Sequence, residues 1–211
     1  MPAVKTKPVS IDWRSYRMPG ILENIKTRRS IRKYEQRQIT DEELLSIVEA
    51  AQYAPSGSNS QSWLFTVIQN PAVLCELNRL VRQVFARISF AQDEYPAKLR
   101  GKQAALKEQY CFYYHAPTLI VVTNERTYPN AMADSALALE NIFLAAHSLG
   151  LGTCWLNQLA WFSDEPEIRA ALTGIGIPEG HFVCGAAAVG YPDGPQPPAP
   201  FRKPGTVNLV K

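Results

Sequence analysis

Histidine is scarce in this chain: His115, His147 and His181 stand singly. No His-Glu-x-x-His helix and no Ser-His-Asp order can be assembled from them, which argues against a metal-dependent or triad hydrolase, and no metal site is expected. The four cysteines, Cys75, Cys111, Cys154 and Cys184, are never closer than 30 positions. That spacing excludes a Cys-x-x-Cys zinc ribbon or thioredoxin-type motif, so they read as free thiols. No apolar run reaches the roughly 18 residues of a membrane span. The start, MPAVKTKPVSIDWR, lacks the apolar core of a signal peptide. A soluble, cytoplasmic protein is expected. Charge of one sign is also missing, because 22 Lys and Arg against 19 Asp and Glu leave a net +3. That excess is too small for a dedicated nucleic-acid binder.

Glycine fingerprints for nucleotides are absent too. Gly150-Leu151-Gly152-Thr153 follows a helical pattern instead of a strand, and Gly174-x-Gly176 carries no preceding strand and misses the third glycine. No Walker-type Gly-Lys-Ser/Thr occurs. Gly150 is better placed as a helix C-cap.

What is present is an ordinary globular composition. The 211 residues are 46% hydrophobic and 19% charged, enough for one large core and far from disorder. Residues 1–20, with prolines at 2, 8 and 19, read as an arm. Residues 21–204 read as a single domain, and residues 205–211 as a C-terminal extension with strand character, suited to pairing with a partner subunit. Thr40-Asp41-Glu42-Glu43 is a capping-box signature opening a helix whose Leu44, Ile47, Val48 and Ala51 share a face and which ends at Pro55. Trp63–Ile68 and Thr118–Thr123 are β-branched and aromatic runs that predict strands. Val73, Leu77, Leu80, Val84 and Ile88 predict an amphipathic helix, and a further helical stretch is expected over 96–114. Asn130 is placed as the cap of a helix over 131–149 that is apolar on both sides and must be covered all round, at the domain centre or in a subunit interface. Short strands follow at 153–156 and 182–191. Strands mixed with long helices indicate an α+β fold.

Two segments invite chemistry. Thr27-Arg28-Arg29-Ser30-Ile31-Arg32-Lys33 gathers four cations and two hydroxyls in seven residues, a composition that suits bidentate phosphate binding. A solvated helix end, or a phosphate-backbone site for nucleic acid, would use the same residues. Ala54-Pro55-Ser56-Gly57-Ser58-Asn59-Ser60-Gln61 can bring backbone amides and a carboxamide to a planar heterocycle, or can be simply a turn. Arg202 and Lys203 interrupt a proline-rich stretch that could deliver them to a distant anion.

Taken in order, these segments resemble the nitroreductase family of FMN-dependent oxidoreductases. The family's Arg-Arg/His-Ser-x-Arg/Lys is matched by Arg28 to Arg32, and its Ala-Pro-Ser-x-x-Asn-x-Gln-Pro-Trp by Ala54 to Trp63. Gly-Leu-Gly-Thr-Cys-Trp stands at Gly150 to Trp155, Gly-Tyr-Pro at Gly190 to Pro192, and Arg-Lys-Pro at Arg202 to Pro204. Ser62 replaces the usual proline, and Asn157-Gln158 stands where many members carry small or acidic residues.

The resemblance implies an α+β sandwich with a central, mostly antiparallel mixed sheet, forming an intertwined homodimer with FMN at the interface. Arg28, Ser30 and Arg202 would address the phosphate and ribityl chain, with Arg29 near it through backbone. Arg32 would lie toward the ribityl and pyrimidine side. Pro55, Ser56, Gly57, Ser58 and Asn59 would come from the other protomer. Trp155, Leu156 and Asn157 would pass beside the ring, the Asn157 amide near N5. No catalytic side chain is expected, because the flavin carries hydride from NADH or NADPH to a nitroaromatic, quinone or similar small-molecule acceptor in a ping-pong cycle. Dehalogenation, flavin fragmentation or an oxidase role are alternatives on the same fold.

Overall fold

A computed structural model describes residues 7–8, 20–91 and 93–210. The N-terminal arm expected over 1–20 therefore lies largely outside the described residues. The core is a four-stranded sheet of order β2-β3-β5-β4, built from β2 (Leu64–Ile68), β3 (Thr118–Glu125), β4 (Gly152–Leu156) and β5 (His181–Gly190). All three pairings are antiparallel. The mixed character comes from one isolated parallel bridge, Ser30 to Thr153, on the outer edge of β4.

The period-2 pattern of these strands splits the core into two layers. Leu119 and Val121 of β3 and Ala186 and Ala188 of β5 face a cluster formed with α3 (Pro71–Arg87), α6 (Gln158–Phe162) and α7 (Pro166–Gly174). Ile120, Val122, Ala187 and Val189 face α2 (Asp41–Gln52) and α5 (Ala131–Ser148) on the other side. The result is an α+β sandwich with helices on both faces of the sheet.

Local signals account for most boundaries. At α2 the capping box forms as the sequence predicts, with Glu43 N donating to Thr40 Oγ1 at 3.2 Å and Thr40 N to Glu43 Oε2 at 2.8 Å. Helix α5 ends at Gly150, whose amide donates to the His147 carbonyl at 3.0 Å while Leu151 N reaches Ala146 O at 2.8 Å, a Schellman-type closure. Three expectations need correction. The helix expected over 96–114 is only α4 (Pro96–Ala105). Beyond it Phe112 and Tyr113 are buried, Asn78 grips both Tyr110 O and Phe112 N, and Tyr114 and His115 take positive φ, so packing of the aromatic run overrides the helix. Asn130 stands at the N-cap of α5, but its side chain makes no cap bond, because it packs against Gly57. Helices α1 (Gly20–Thr27), α6 and α7 were not foreseen; each is nine residues or fewer, too short to establish a period.

Two features of the single chain point outward. Helix α1 buries none of its residues, leaving Ile21 and Ile25 exposed. Helix α5 is covered on its Ala138, Leu139, Ile142 and Ala146 side, yet Leu137, Met132 and Leu149 are about half exposed. At the C-terminus β6 (Asn208–Leu209) pairs with β1 (Lys7–Pro8) of the same chain.

Candidate functional site

The basic segment leaves the end of α1 and docks on the edge of β4. Ile31 N donates to Thr153 O at 2.8 Å, and Glu35 N to Tyr191 O at 2.9 Å, so the stretch is stitched to the sheet at both ends. Ile31 is buried against Gly152, where a Cβ would come within 2.8 Å of it. Only glycine permits that approach.

The cations of this stretch fall into two groups. Lys33 pairs with Asp193 at 2.8 Å and Arg37 with Glu35 at 2.6 Å. Arg28, Arg29 and Arg32 have no carboxylate partner among the described residues. The Arg28 guanidinium lies 5.9 Å from the Phe143 ring centre and Arg32 5.9 Å from that of Tyr114, both within cation–π reach. Arg29 folds back onto the carbonyls of Lys26 and Arg28, with its Nε buried and unpartnered. Beside them Thr27 Oγ1 and His147 Nε2 are 2.9 Å apart. Burial, then the charges of Arg28 and Arg29, hold His147 below its ordinary pKa.

The loop after α2 is held in an uncommon backbone state. Ser58, Asn59 and Gln61 all have positive φ, each costing on the order of 1 kcal/mol or more for a non-glycine residue. Several contacts with the start of α5, the turn before it and the end of β3 impose this conformation. Gly57 N donates to Asp134 Oδ2 at 3.0 Å, Tyr128 Oη donates to the same oxygen at 2.7 Å, and Ser62 Oγ bonds Asn124 Oδ1 at 2.8 Å. A Cβ on Gly57 would meet Asn130 Nδ2 at 2.5 Å and Tyr128 Oη at 2.6 Å. Ser56 closes the loop by accepting from Gln61 N at 3.2 Å.

At the end of β4 the Trp155 indole donates to Asn157 Oδ1 at 2.6 Å. The Asn157 amide, expected to face a flavin, donates instead to Gln158 Oε1 at 3.2 Å. An amide at the first turn of α6 needs an acceptor, and the adjacent side chain supplies one.

The structure brings some expected residues together and separates others. Arg32, Trp155, Leu156 and Asn157 line one cavity of about 440 Å³ under α4. Ser30 and Arg32 also line a smaller one of about 250 Å³ with the start of the proline-rich stretch. Pro55 and Asn59 open instead onto a groove of about 860 Å³ between α2 and β2. Arg202 is exposed and makes no hydrogen bond or ion pair with another described residue. Sequence reasoning did not single out Phe143, Asp134 or Tyr128, and took His147 only as one of three scattered histidines. Their partners lie 6 to 120 positions away, so no local spacing signals them.

An antiparallel sheet carrying an unpaired arginine cluster on one edge and a strained amide-bearing loop on a neighbouring helix defines an α+β sandwich of the nitroreductase fold. The chain belongs to the Nitroreductase family, whose model matches residues 25–191. It is 42% identical to a nitroreductase from Bacteroides fragilis solved with bound FMN, with a TM-score of 0.83 over 92% of this chain and 100% of that one. An Archaeoglobus fulgidus relative, provisionally named NADH dehydrogenase/NAD(P)H nitroreductase, is 32% identical over 83% of this chain and 87% of its own length. An iodotyrosine deiodinase from Thermotoga neapolitana is 25% identical over 83% of this chain and 90% of its own length.

Proposed function

We propose that this protein is an FMN-dependent NAD(P)H oxidoreductase of nitroreductase type that works as a homodimer. The observation that carries the reading is that, among the described residues, Arg28, Arg29 and Arg32 have no carboxylate partner while nearby Lys33 and Arg37 do. Unpaired cations held beside a serine on a rigid sheet edge fit a dianionic phosphate. When bound, FMN supplies the hydride relay between NADH or NADPH and a nitroaromatic, quinone or similar acceptor.

The chain's own residues bind and orient. Arg28 and Ser30 would grip the phosphate, Arg29 would support them through backbone, and Arg32 would face the ribityl and pyrimidine side. Trp155, Leu156 and Asn157 would form the wall beside the ring, with the Asn157 amide released by Gln158. Pro55 and Asn59, the ends of the segment that also holds Ser56, Gly57 and Ser58, lie on a different groove from Arg32. This separation favours their delivery to a second protomer's site, with Arg202 arriving on the C-terminal stretch. The exposed apolar residues of α1 and α5 would form the seam. Strand β2 stands at one end of the sheet order, offering an edge to which a partner's C-terminal residues would pair. No helix among the described residues is long and apolar enough to cross a membrane. With four free thiols, a cytoplasmic location suits the chain.

Similarity to the deiodinase favours a second reading, in which the same site reduces a carbon–halogen bond. One experiment tests the class. The purified protein should be yellow and should bleach anaerobically with NADH or NADPH, then recover with a nitroaromatic. A dimer that neither contains nor binds FMN would overturn the reading, and recovery with an iodophenol alone would favour the second.

A further inference from the structure

We propose that the cavity between α4 and the end of β4 selects planar aromatic acceptors bearing an acidic group, and that Arg100 is the residue that binds that group. The proposal rests on the flavin reading above and names the substrate class of its site. The cavity measures about 440 Å³, and with the flavin ring against its Trp155 to Asn157 wall an acceptor would take the side under α4. Its walls include the flat faces of Tyr110, Tyr114 and Trp161.

The charge pattern on α4 is selective. Lys98 is held by Glu94 at 3.3 Å, and the Lys102 ammonium donates to the Ile88 carbonyl. Arg100, between them, makes no ion pair or hydrogen bond with any described residue, and of the three it is the one that lines the cavity. Ala97 and Ala104, one turn to either side, also line it. No aspartate or glutamate is among the lining residues, so neither Arg32 nor the exposed Arg100 meets a carboxylate there. A carboxylate or acidic phenol would supply the missing charge, and a guanidinium can take it with two parallel hydrogen bonds.

A second group points to an oxygen-bearing ligand. Tyr110 Oη is buried and makes no well-formed hydrogen bond, although the Gln158 side chain lies close enough to lower its pKa, and its ring lines the cavity. An orphaned buried hydroxyl is costly unless something occupies it. Burial raises the Tyr110 pKa against the opposing Gln158 contact, and the neutral phenol can donate to an acceptor oxygen.

The test uses the FMN-loaded dimer and two isosteric pairs. Benzoate and benzamide, which accept no hydride, are titrated against the oxidised protein and read by the flavin absorption change. Reoxidation of dithionite-reduced enzyme by 4-nitrobenzoate and 4-nitrobenzamide is then followed without any NAD(P)H. Benzoate should bind about tenfold more tightly than benzamide, with a similar preference in the reoxidation rate constants. R100Q should erase both preferences, R100K should restore part, and K98Q should keep them. Equal binding of the pair, or a preference that survives R100Q, overturns the proposal. So does an R100Q defect seen only when the oxidised enzyme is reduced by NADPH in a separate stopped-flow run, which would assign Arg100 to the reductant. Failure of the protein to bind FMN or to reoxidise with either nitro compound would instead overturn the flavin reading itself.

Discussion

The Gly57 amide donates to the buried carboxylate of Asp134 at 3.0 Å, and the Tyr128 hydroxyl donates to the same oxygen at 2.7 Å. This pair of contacts ties the strained loop after α2 to the first turn of α5, so the loop's amides are fixed before any ligand arrives. Pre-organisation of this kind spares a binding site the entropy of ordering a loop.

Gly57→Ala should therefore act on both stability and binding. The added methyl collides with Asn130 and Tyr128, and overpacking of this kind costs about 1–3 kcal/mol. Urea denaturation of the flavin-free protein measures the loss, and fluorescence titration should show weaker FMN binding. An unchanged FMN affinity would remove the loop from the site.

Arg28→Ala removes a cation that has no carboxylate partner among the described residues and rests on Phe143. Hydrogen bonds to charged groups contribute about 1.5–3 kcal/mol, so FMN binding should weaken by at least about tenfold. Riboflavin, which lacks the phosphate, should be affected far less. Equal losses for both ligands would place Arg28 away from the phosphate.

Gln158→Ala frees the Asn157 amide from the side chain that now occupies it. Removing a competitor for one hydrogen bond, about 0.5–1.5 kcal/mol, should tighten FMN binding several-fold. Isothermal calorimetry checks the sign, and weaker binding would mean that Gln158 itself holds the ring.

His147 provides a pH signature. Its pKa is lowered by burial and then by Arg28 and Arg29, from an ordinary value of 6.5, so the unfolded chain binds the proton more readily. Stability from this residue is present above the unfolded value and is lost as pH falls through the depressed folded one. The flavin-free protein should become less stable as pH falls below the ordinary histidine value of 6.5, and H147Q should flatten that slope. A slope untouched by H147Q would show that other groups carry it.

Ile25→Glu tests the dimer. Ile25 is 45% exposed in the single chain, and a charge in an apolar seam should cost association about 2 kcal/mol or more. Sedimentation should show monomer, and bound FMN should be lost with it because half of the site would be missing. A dimeric, yellow Ile25→Glu variant would place the seam elsewhere.

The sequence by itself determined the pieces that depend on near neighbours. Thr40 and Glu43 specify a helix start through a three-residue contact, the β-branched run at 118–123 specifies a buried strand, and Gly150 specifies a helix end. The order of Arg28 to Arg32, Ala54 to Trp63 and Gly150 to Trp155 carried the family resemblance. Tertiary structure alone decided which charges stay unpaired. Lys33 and Asp193 are far apart in the chain, and nothing in the run Arg28 to Lys33 says that Lys33 is neutralised and Arg32 is not. It also ended α4 at Ala105, because burial of Phe112 and Tyr113 outweighs helical propensity. It placed Asp134 under Gly57 across 77 positions and His147 beside Thr27 across 120. Periodicity reports one residue's relation to the next turn. The site is made of contacts that exist only after the sheet has brought α1, α2 and α5 together.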